Sequence, residues 1–284
     1  MKKASPLAYL ITTIVTLLNS MFGMIAIFFL IKYILLRNVA EVFPERYLTP
    51  VWVLLFFAGV FDVFDGLVAR FTGTPSEFGR ELDSLADAVS FGVLPALIIG
   101  LLNSFSDPYW QIFSWFCAIF YLSCVLFRLA RFNIEALPEQ KYHFQFKGLP
   151  SPGAAGAIGA IPLLFLGLRN GNILFNRMLW GIFSESAVIQ FSDHLFVALP
   201  FMGLVLGLLM VSKKIVFFHT DKYIYFFKGK GFFHYLAFIS VVLLIIFLFH
   251  EITLVLFAVF FYCGPLLIFF SKAKTRNQAS QPNA

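Results

Sequence analysis

Eight long apolar segments divide this sequence, and they constrain its fold more than any other feature. Each is close to the ~20 residues that an α-helix needs to cross roughly 30 Å of hydrocarbon. The segments are Ile14–Leu36, Val51–Ala69, Leu82–Leu102, Trp110–Phe127, Gly153–Leu168, Leu195–Val211, Phe232–Phe249 and Ile252–Phe270. Because a chain inside lipid must satisfy its backbone polar groups internally, helices are the expected form. We therefore predict an all-α integral membrane protein with about eight transmembrane helices.

The composition agrees with a chain whose main solvent is lipid. Hydrophobic residues make up 60% of the 284 positions and charged residues only 13%, whereas soluble domains contain about 45–50% apolar and about 25% charged residues. A soluble surface could not accommodate 39 phenylalanines. The net charge of +6 does not indicate a nucleic-acid partner, because the basic residues lie between apolar runs, where membrane orientation accounts for them.

The distribution of lysine and arginine predicts the orientation of the helices. If the N-terminus is cytoplasmic and all eight segments span the membrane, 16 of the 21 basic residues lie on the cytoplasmic side. The opposite side holds only Lys32, Arg37, Arg46, Arg169 and Arg177. This asymmetry has the sense of the positive-inside rule. We therefore expect residues 70–87 to face the cytoplasm, with the protein in the inner, cytoplasmic membrane of the cell.

Four aspartates interrupt the second and third apolar segments, in the stretch FDVFDGLVARFTGTPSEFGRELDSLADAVSFG. Asp62 and Asp65 are three residues apart and share one face of a helix. Asp83 and Asp87 are four residues apart and share one face of the next helix. The turn between the helices contains glycine and proline and can bring the two faces together. The sequence therefore predicts four carboxylates that converge at one membrane boundary.

A converging set of carboxylates inside a membrane favours a metal site. Each buried acid costs about 2.5–3.5 kcal/mol on insertion scales, and unpaired neighbours repel one another. Hard divalent cations bind carboxylate oxygens and offset both effects, and two such ions can clamp a diphosphate. The predicted cofactors are two Mg²⁺ or Mn²⁺ ions on Asp62, Asp65, Asp83 and Asp87. The alternative is that the acids are solvated at helix ends or pair with neighbouring arginines.

Residues beside the aspartates indicate room for a phosphate or a flat base. Gly66, Ala69 and Gly79 lack bulk on the faces that carry the acids, although small residues also serve close helix packing. Arg70 stands where a guanidinium could hold phosphate oxygens, or it anchors a helix end at the membrane surface. Both interpretations stay open for each of these residues.

The pattern D-x2-D-G-x2-A-R-x8-G-x3-D-x3-D at residues 62–87 resembles the signature of the CDP-alcohol phosphatidyltransferases, and every fixed position is matched. These enzymes transfer a phosphatidyl group from CDP-diacylglycerol to an alcohol and release CMP. The resemblance implies a six-helix core, usually dimeric, with a two-metal site open to the cytoplasm. That core would occupy residues 1–211, followed by two additional helices in 212–271 and a polar, disordered tail at 272–284.

The resemblance also implies roles for individual residues. The implied metal ligands are Asp62, Asp65 and Asp83. Asp87 would bind metal and also act as general base on the attacking hydroxyl, because a carboxylate beside metal can accept the alcohol proton. The residues implied to line the CDP site are Gly66, Ala69, Arg70 and Gly79.

Flanking stretches are similar to the phosphatidylserine synthase branch of this family. They are TLLNSMFG at 16–23, ELDSLADAVSFGVLPA at 81–96, RLARFN at 128–133 and FKGLPSPGAAG at 146–156, whereas 209–222 departs from that branch. The implied acceptor is L-serine, whose carboxylate requires a cation near the site. Arg128 and Arg131 end the fourth helix at the predicted cytoplasmic level. They bind this carboxylate, or they are only positive-inside anchors.

The first helix carries polar residues on one face. Thr16, Asn19 and Gly23 follow one another at i, i+3, i+7 spacing, which places them in one line along a helix. A buried amide there contacts the nucleotide, or it makes an interhelical hydrogen bond. Asn19 is therefore expected to face either a bound nucleotide or another helix.

Other functions stay open on the sequence alone. Within the family, the acceptor could be glycerol phosphate, inositol phosphate or choline, although a phosphorylated acceptor requires denser positive charge than Arg128, Arg131 and Lys147 offer. A divalent-cation transporter could use the aspartates as an ion path. Many transporters contain paired inverted repeats, whereas the acids here occupy one helix pair. A non-catalytic membrane scaffold would leave Asp87 without a task.

Overall fold

Six long helices dominate the part of the chain that a computed structural model describes, residues 6–37, 44–72, 76–103, 107–135, 146–170, 185–212 and 216–218. They are α1 Pro6–Leu36, α2 Leu48–Thr72, α3 Glu77–Leu102, α4 Pro108–Glu135, α5 Ser151–Asn170 and α6 Glu185–Val211. A short 3₁₀ helix, Pro44–Tyr47, leads into α2. All six helices contain a stretch long and apolar enough to cross a membrane. The molecule therefore has the architecture of an integral membrane protein.

The helices confirm the first six predicted segments but extend beyond them. The largest difference is at α6, which begins at Glu185 rather than Leu195. Helices continue into polar turns outside the hydrocarbon, which an apolar count does not detect. The last two predicted segments, Phe232–Phe249 and Ile252–Phe270, lie outside the described residues, as does the tail 272–284. The count of eight helices and the division at residue 211 stay predictions.

The chain divides into two compact units. The first comprises residues 1–142 and 150–211 and contains α1–α6. In the second, residues 143–149 and 212–284, the described part is an antiparallel pair of β1 Phe146–Lys147 and β2 Val216–Phe218. This pair is the single departure from the all-α prediction among the residues described.

The start of α3 is fixed by a capping residue. The side-chain oxygen of Ser76 accepts a hydrogen bond from the backbone N–H of Gly79 at 2.9 Å, which satisfies one of the unpaired donors at a helix N-terminus. A Cβ atom at position 79 would lie 3.0 Å from Ser76 Oγ. Gly79 therefore leaves the cap undisturbed, about one helical turn before Asp83.

The α3 helix changes character in its centre. Glu77–Asp87 and Leu94–Leu102 are α-helical, whereas Ala88–Val93 forms a π-helical turn. The hydroxyl of Tyr121 on α4 donates to the carbonyl of Phe91 in this turn at 3.0 Å. Such turns are rare and often occur at functional sites. The irregular turn begins directly after the last of the four aspartates.

A buried polar network ties three helices together at the far end of α3. The side-chain amide of Asn103 donates to the carbonyl oxygens of Ile99 and Phe196, each at 3.1 Å. Its oxygen accepts from Trp110 Nε1 at 3.2 Å. Because a buried amide is stable only with its hydrogen bonds made, this network joins α3, α4 and α6 at the end opposite the aspartates.

Candidate functional site

The aspartates lie where α2 ends and α3 begins. Asp62 and Asp65 occupy the last three turns of α2, and Asp83 and Asp87 the second and third turns of α3. The structure brings Asp62, Asp83 and Asp87 together, with one carboxylate oxygen of each lying within 4.8 Å of the other two. Asp87 is only 7% exposed to solvent. The two helices therefore converge on one acidic group, as their spacing predicted.

Asp65 adjoins this group without being one of the three. It is 5% exposed, and its carboxylate interacts with those of Asp83 and Asp62. It also interacts with the Thr16 side chain of α1. The four predicted aspartates thus form one cluster of interacting carboxylates.

The cluster has unsatisfied oxygen atoms. Oδ2 of Asp65 and Oδ1 of Asp83 are buried and accept no hydrogen bond from any residue the structure describes. A buried carboxylate oxygen without a donor is costly, and like charges so close repel one another. A set of donors made only of carboxylate oxygens suits a hard divalent cation. The residues present therefore fit the predicted metal centre.

The first helix contributes a hydrogen bond to the cluster. Asn19 is fully buried, and its side-chain Nδ2 donates to Oδ1 of Asp87 at 3.1 Å. The hydroxyl of Ser90 in turn donates to the backbone carbonyl of Asn19 at 2.9 Å. The interhelical interpretation of Asn19 is therefore confirmed.

The two arginines predicted to act together have different partners. Arg128 donates from Nη1 to Ser151 Oγ at 2.9 Å, and its charge interacts with the carboxylates of Asp87 and Asp62. Arg131 donates from Nη1 to the carbonyl of Val211 at 2.9 Å. Carbonyls in the last turn of a helix have no intrahelical partner. The charge of Arg128 therefore acts on the acids, whereas Arg131 contacts the end of α6.

The residues predicted to line a CDP site lie around the same helix ends. Gly66 and Ala69 are half-buried near the end of α2, and Gly79 is in the first turn of α3. The side chain of Arg70 lies outside the described part of the structure. No contact tests these four roles, which stay predictions.

Sequence reasoning missed several polar residues at this site. Asn133 on α4 donates to Glu81 Oε2 and lies 3.1 Å from the hydroxyl of Ser84 on α3. Ser90 and Ser151 were not singled out either. The available signal was position, since Ser90 follows Asp87 by three residues and shares its side of the helix. Serine is common at such positions for packing reasons, so the pattern alone was not decisive.

Comparison with known proteins supplies a family for this site. A model of the family described as CDP-alcohol phosphatidyltransferase matches residues 9–191. A Mycobacterium leprae protein named CDP-diacylglycerol–serine O-phosphatidyltransferase is 41% identical over 117 residues, 40% of this chain and 37% of that protein. A protein of the same name from Saccharomyces cerevisiae is 32% identical over 185 residues, 62% of this chain and 60% of that protein.

A third relative with the same name matches this chain over a shorter region. The protein of that name from Methanocaldococcus jannaschii is 44% identical over 102 residues, 36% of this chain and 45% of its own length. The chain thus spans about 37–60% of the length of these relatives. No solved structure matches the chain significantly.

Proposed function

Because the chain belongs to the CDP-alcohol phosphatidyltransferase family, we propose that it transfers the phosphatidyl group of CDP-diacylglycerol to L-serine. The products are phosphatidylserine and CMP. The names of the relatives support serine as the acceptor. The observation that carries the proposal is the meeting of Asp62, Asp83 and Asp87, from two helices, in one acidic group.

In this proposal the aspartates hold two divalent cations, Mg²⁺ or Mn²⁺. Asp62, Asp65, Asp83 and Asp87 would be the ligands. Bound there, the cations offset charge on the diphosphate and on the oxygens that enter and leave phosphorus. The unpaired oxygens of Asp65 and Asp83 support this assignment. So does the position of Asp65 outside the group of three, since the acids extend beyond one ligand set.

Asp87 is the general base of the proposed reaction. The serine hydroxyl oxygen forms a bond to the phosphatidyl phosphorus, the bond from that phosphorus to CMP breaks, and the hydroxyl proton passes to Asp87. The Asn19 amide donates to one oxygen of Asp87 and leaves the remaining lone pairs of the carboxylate to accept this proton. The buried position of Asp87 also keeps competing water away from it.

Residues near the facing ends of α2 and α3 bind the CDP moiety in this proposal. The residues assigned to the CDP moiety are Gly66, Ala69, Arg70 and Gly79. The site faces the cytoplasm from the inner membrane, which the basic residues of the sequence support. The six-helix core lies within residues 1–211. Two further helices follow in 212–271, and a polar tail follows at 272–284. The protein forms a homodimer. The match of the family model to residues 9–191 supports this core.

The proposed acceptor is tested by supplying purified protein in lipid–detergent micelles with CDP-diacylglycerol and one alcohol at a time. We expect CMP release with L-serine and little with glycerol phosphate, inositol phosphate or choline. Release with one of those alcohols, and none with serine, would refute the serine assignment. Transport of Mn²⁺ into vesicles, without any lipid product, would refute the transferase proposal and favour a transporter.

Replacing Arg128 with alanine should raise the KM for serine by roughly 10–100-fold and change that for CDP-diacylglycerol much less. The reason is that a charge-assisted hydrogen bond to the serine carboxylate is worth about 1.5–3 kcal/mol. Arg131→Ala should act in the same direction, although it also frees the Val211 carbonyl. Steady-state kinetics with each substrate varied separately give both constants.

Lys32→Ala provides the control for the Arg128 experiment. Lys32 lies near the end of α1, about 20 Å along the helix from Asn19, and its amine stacks on the Tyr47 ring at 5.0 Å. It should leave both constants unchanged. Equal increases of the two constants in Arg128→Ala would contradict a role in serine binding.

A further inference from the structure

Asn19 of α1 is held by α3 at two points. Its side-chain amide donates to Asp87 Oδ1 at 3.1 Å, and its backbone carbonyl accepts from Ser90 Oγ at 2.9 Å. Asn19 and Ser90 are both 0% exposed. Because the two contacts reach opposite ends of one residue, they fix both the position and the rotation of Asn19 relative to Asp87.

Gly23 makes the contact between Ser90 and Asn19 possible. A Cβ atom at position 23 would lie 2.4 Å from Ser90 Oγ and 2.9 Å from Ser90 Cα. The first distance involves a side-chain atom that could rotate, but the second involves the backbone of α3. A larger residue at position 23 would therefore push the two helices apart at this point. Close approach through a small residue is a common way of packing membrane helices.

Ser90 lies within the π-helical turn of α3. Ala88–Val93 forms this turn, directly after Asp87. Bonding from residue i to i+5 places more residues in a turn than an α-helix has, and such turns are often found at functional sites. Ser90, which binds the Asn19 carbonyl, therefore lies in this turn, three residues after Asp87, which accepts from the Asn19 amide.

A carboxylate on its own does not keep one orientation. The last torsion of an aspartate side chain has broad minima, so a fixed donor is required to select one direction. Catalytic geometry tolerates errors of only about 0.5 Å and 10–20°. In Asp87 that donor is the Asn19 amide, which is itself restrained by Ser90.

We propose that Ser90 is a positioning residue: its hydrogen bond to the Asn19 carbonyl, in the space that Gly23 leaves, holds the Asn19 amide against Asp87. The direction of the Asp87 carboxylate is thereby set by the contact of α1 with the π-helical turn. This role deepens the proposed transferase function and rests on it, since orientation of Asp87 matters for catalysis only if Asp87 is the base.

The test compares alanine variants of Ser90 and Asn19, alone and together, in the serine-dependent CMP assay. Ser90→Ala should lower kcat about tenfold with both KM values within about twofold, because loss of an outer-shell partner typically costs 10–100-fold. Asn19→Ala should lower kcat by at least as much. The double variant should be no worse than Asn19→Ala alone, because Ser90 acts through Asn19.

Binding of Mn²⁺, followed by electron paramagnetic resonance, gives a second measurement that does not depend on turnover. Ser90→Ala should bind Mn²⁺ more weakly, by up to about tenfold. Ser114→Ala is the matched control, because Ser114 is also 0% exposed and its hydroxyl donates to the Trp110 carbonyl within α4. This variant should keep wild-type kcat and Mn²⁺ affinity.

Gly23→Ala tests the same contact from α1, and it keeps the experiment decisive if Ser90→Ala does not fold. It should reproduce the fall in kcat, because the added methyl group would displace Ser90. Alanine is itself favourable in a helix, so α1 should not be weakened by the change. Wild-type kcat and Mn²⁺ affinity in Ser90→Ala or Gly23→Ala would overturn the positioning role, as would losses that multiply in the double variant. If wild-type protein shows no serine-dependent CMP release, the transferase proposal fails instead, and the Mn²⁺ affinities still decide whether Ser90 positions Asp87.

Discussion

Replacing Asp87 with asparagine should lower kcat for serine-dependent CMP release by about 10³-fold, within the 10²–10⁴-fold that general acid–base catalysis supplies. The amide has nearly the shape of the carboxylate but cannot accept the serine proton. Its oxygen can still accept the hydrogen bond from Asn19, so the contact between α1 and α3 is preserved. Measured in chelator, where no cation is bound, the thermal unfolding temperature in detergent should therefore not fall below that of wild type, whereas kcat falls.

Asp107→Asn is the control for this experiment. Asp107 is exposed just before α4 begins, and its backbone carbonyl accepts from Gln111, a contact that the substitution leaves in place. It should retain full activity. An Asp87→Asn protein with wild-type kcat would contradict the role of base, and it would favour a scaffold in which this acid has no chemical task.

The fold was predictable to the extent that hydrophobicity determines it. Each of α1–α6 is an apolar run long enough to cross lipid, and that requirement acts residue by residue along the sequence. Helix ends were less predictable because local contacts decide them. Ser76 begins α3 through its own side-chain oxygen, and the π-helical turn Ala88–Val93 has no signature in composition or period.

The candidate site was predictable where its residues are close in sequence. Asp62, Asp83 and Asp87 converge, as their helical spacing predicted. The hydrogen bond from Asn19 to Asp87 joins residues 68 positions apart, and it depends on which faces of α1 and α3 pack together. Spacing constrains neighbours on one helix, but it does not constrain the rotation of one helix against another.

Arg128 and Arg131 also show that spacing along one helix does not determine which other helix a side chain contacts. They are three residues apart on α4, so the sequence treats them as equivalent. The structure distinguishes them because Arg128 faces Ser151 and the acids, whereas Arg131 reaches the end of α6. Which helix lies beside each position decides the role of each arginine, and that is a property of the assembled bundle.

Removing divalent cations with a chelator should abolish CMP release, and adding Mg²⁺ or Mn²⁺ should restore it. Loss of the cations leaves the carboxylates of Asp62, Asp65, Asp83 and Asp87 facing one another, with the charge of Arg128 interacting with two of them. At an effective dielectric constant of about 20, two like charges 4 Å apart repel by about 4 kcal/mol. The chelated protein should therefore also unfold at a lower temperature.

Asp83→Asn separates this explanation from a general effect of the chelator. Asp83 interacts with Asp62, Asp65 and Asp87, so neutralising it removes a charge that repels all three of the other acids. With cations present, the variant should be inactive and less stable than wild type, because a ligand is weakened. In chelator the order should reverse, with Asp83→Asn unfolding at a higher temperature than wild type, because the carboxylates then repel one another without a cation between them.

Asp107→Asn, remote from the cluster, should follow wild type in both conditions. An unfolding temperature of the wild type that is the same with and without chelator, together with full activity in chelator, would contradict a metal centre at these aspartates.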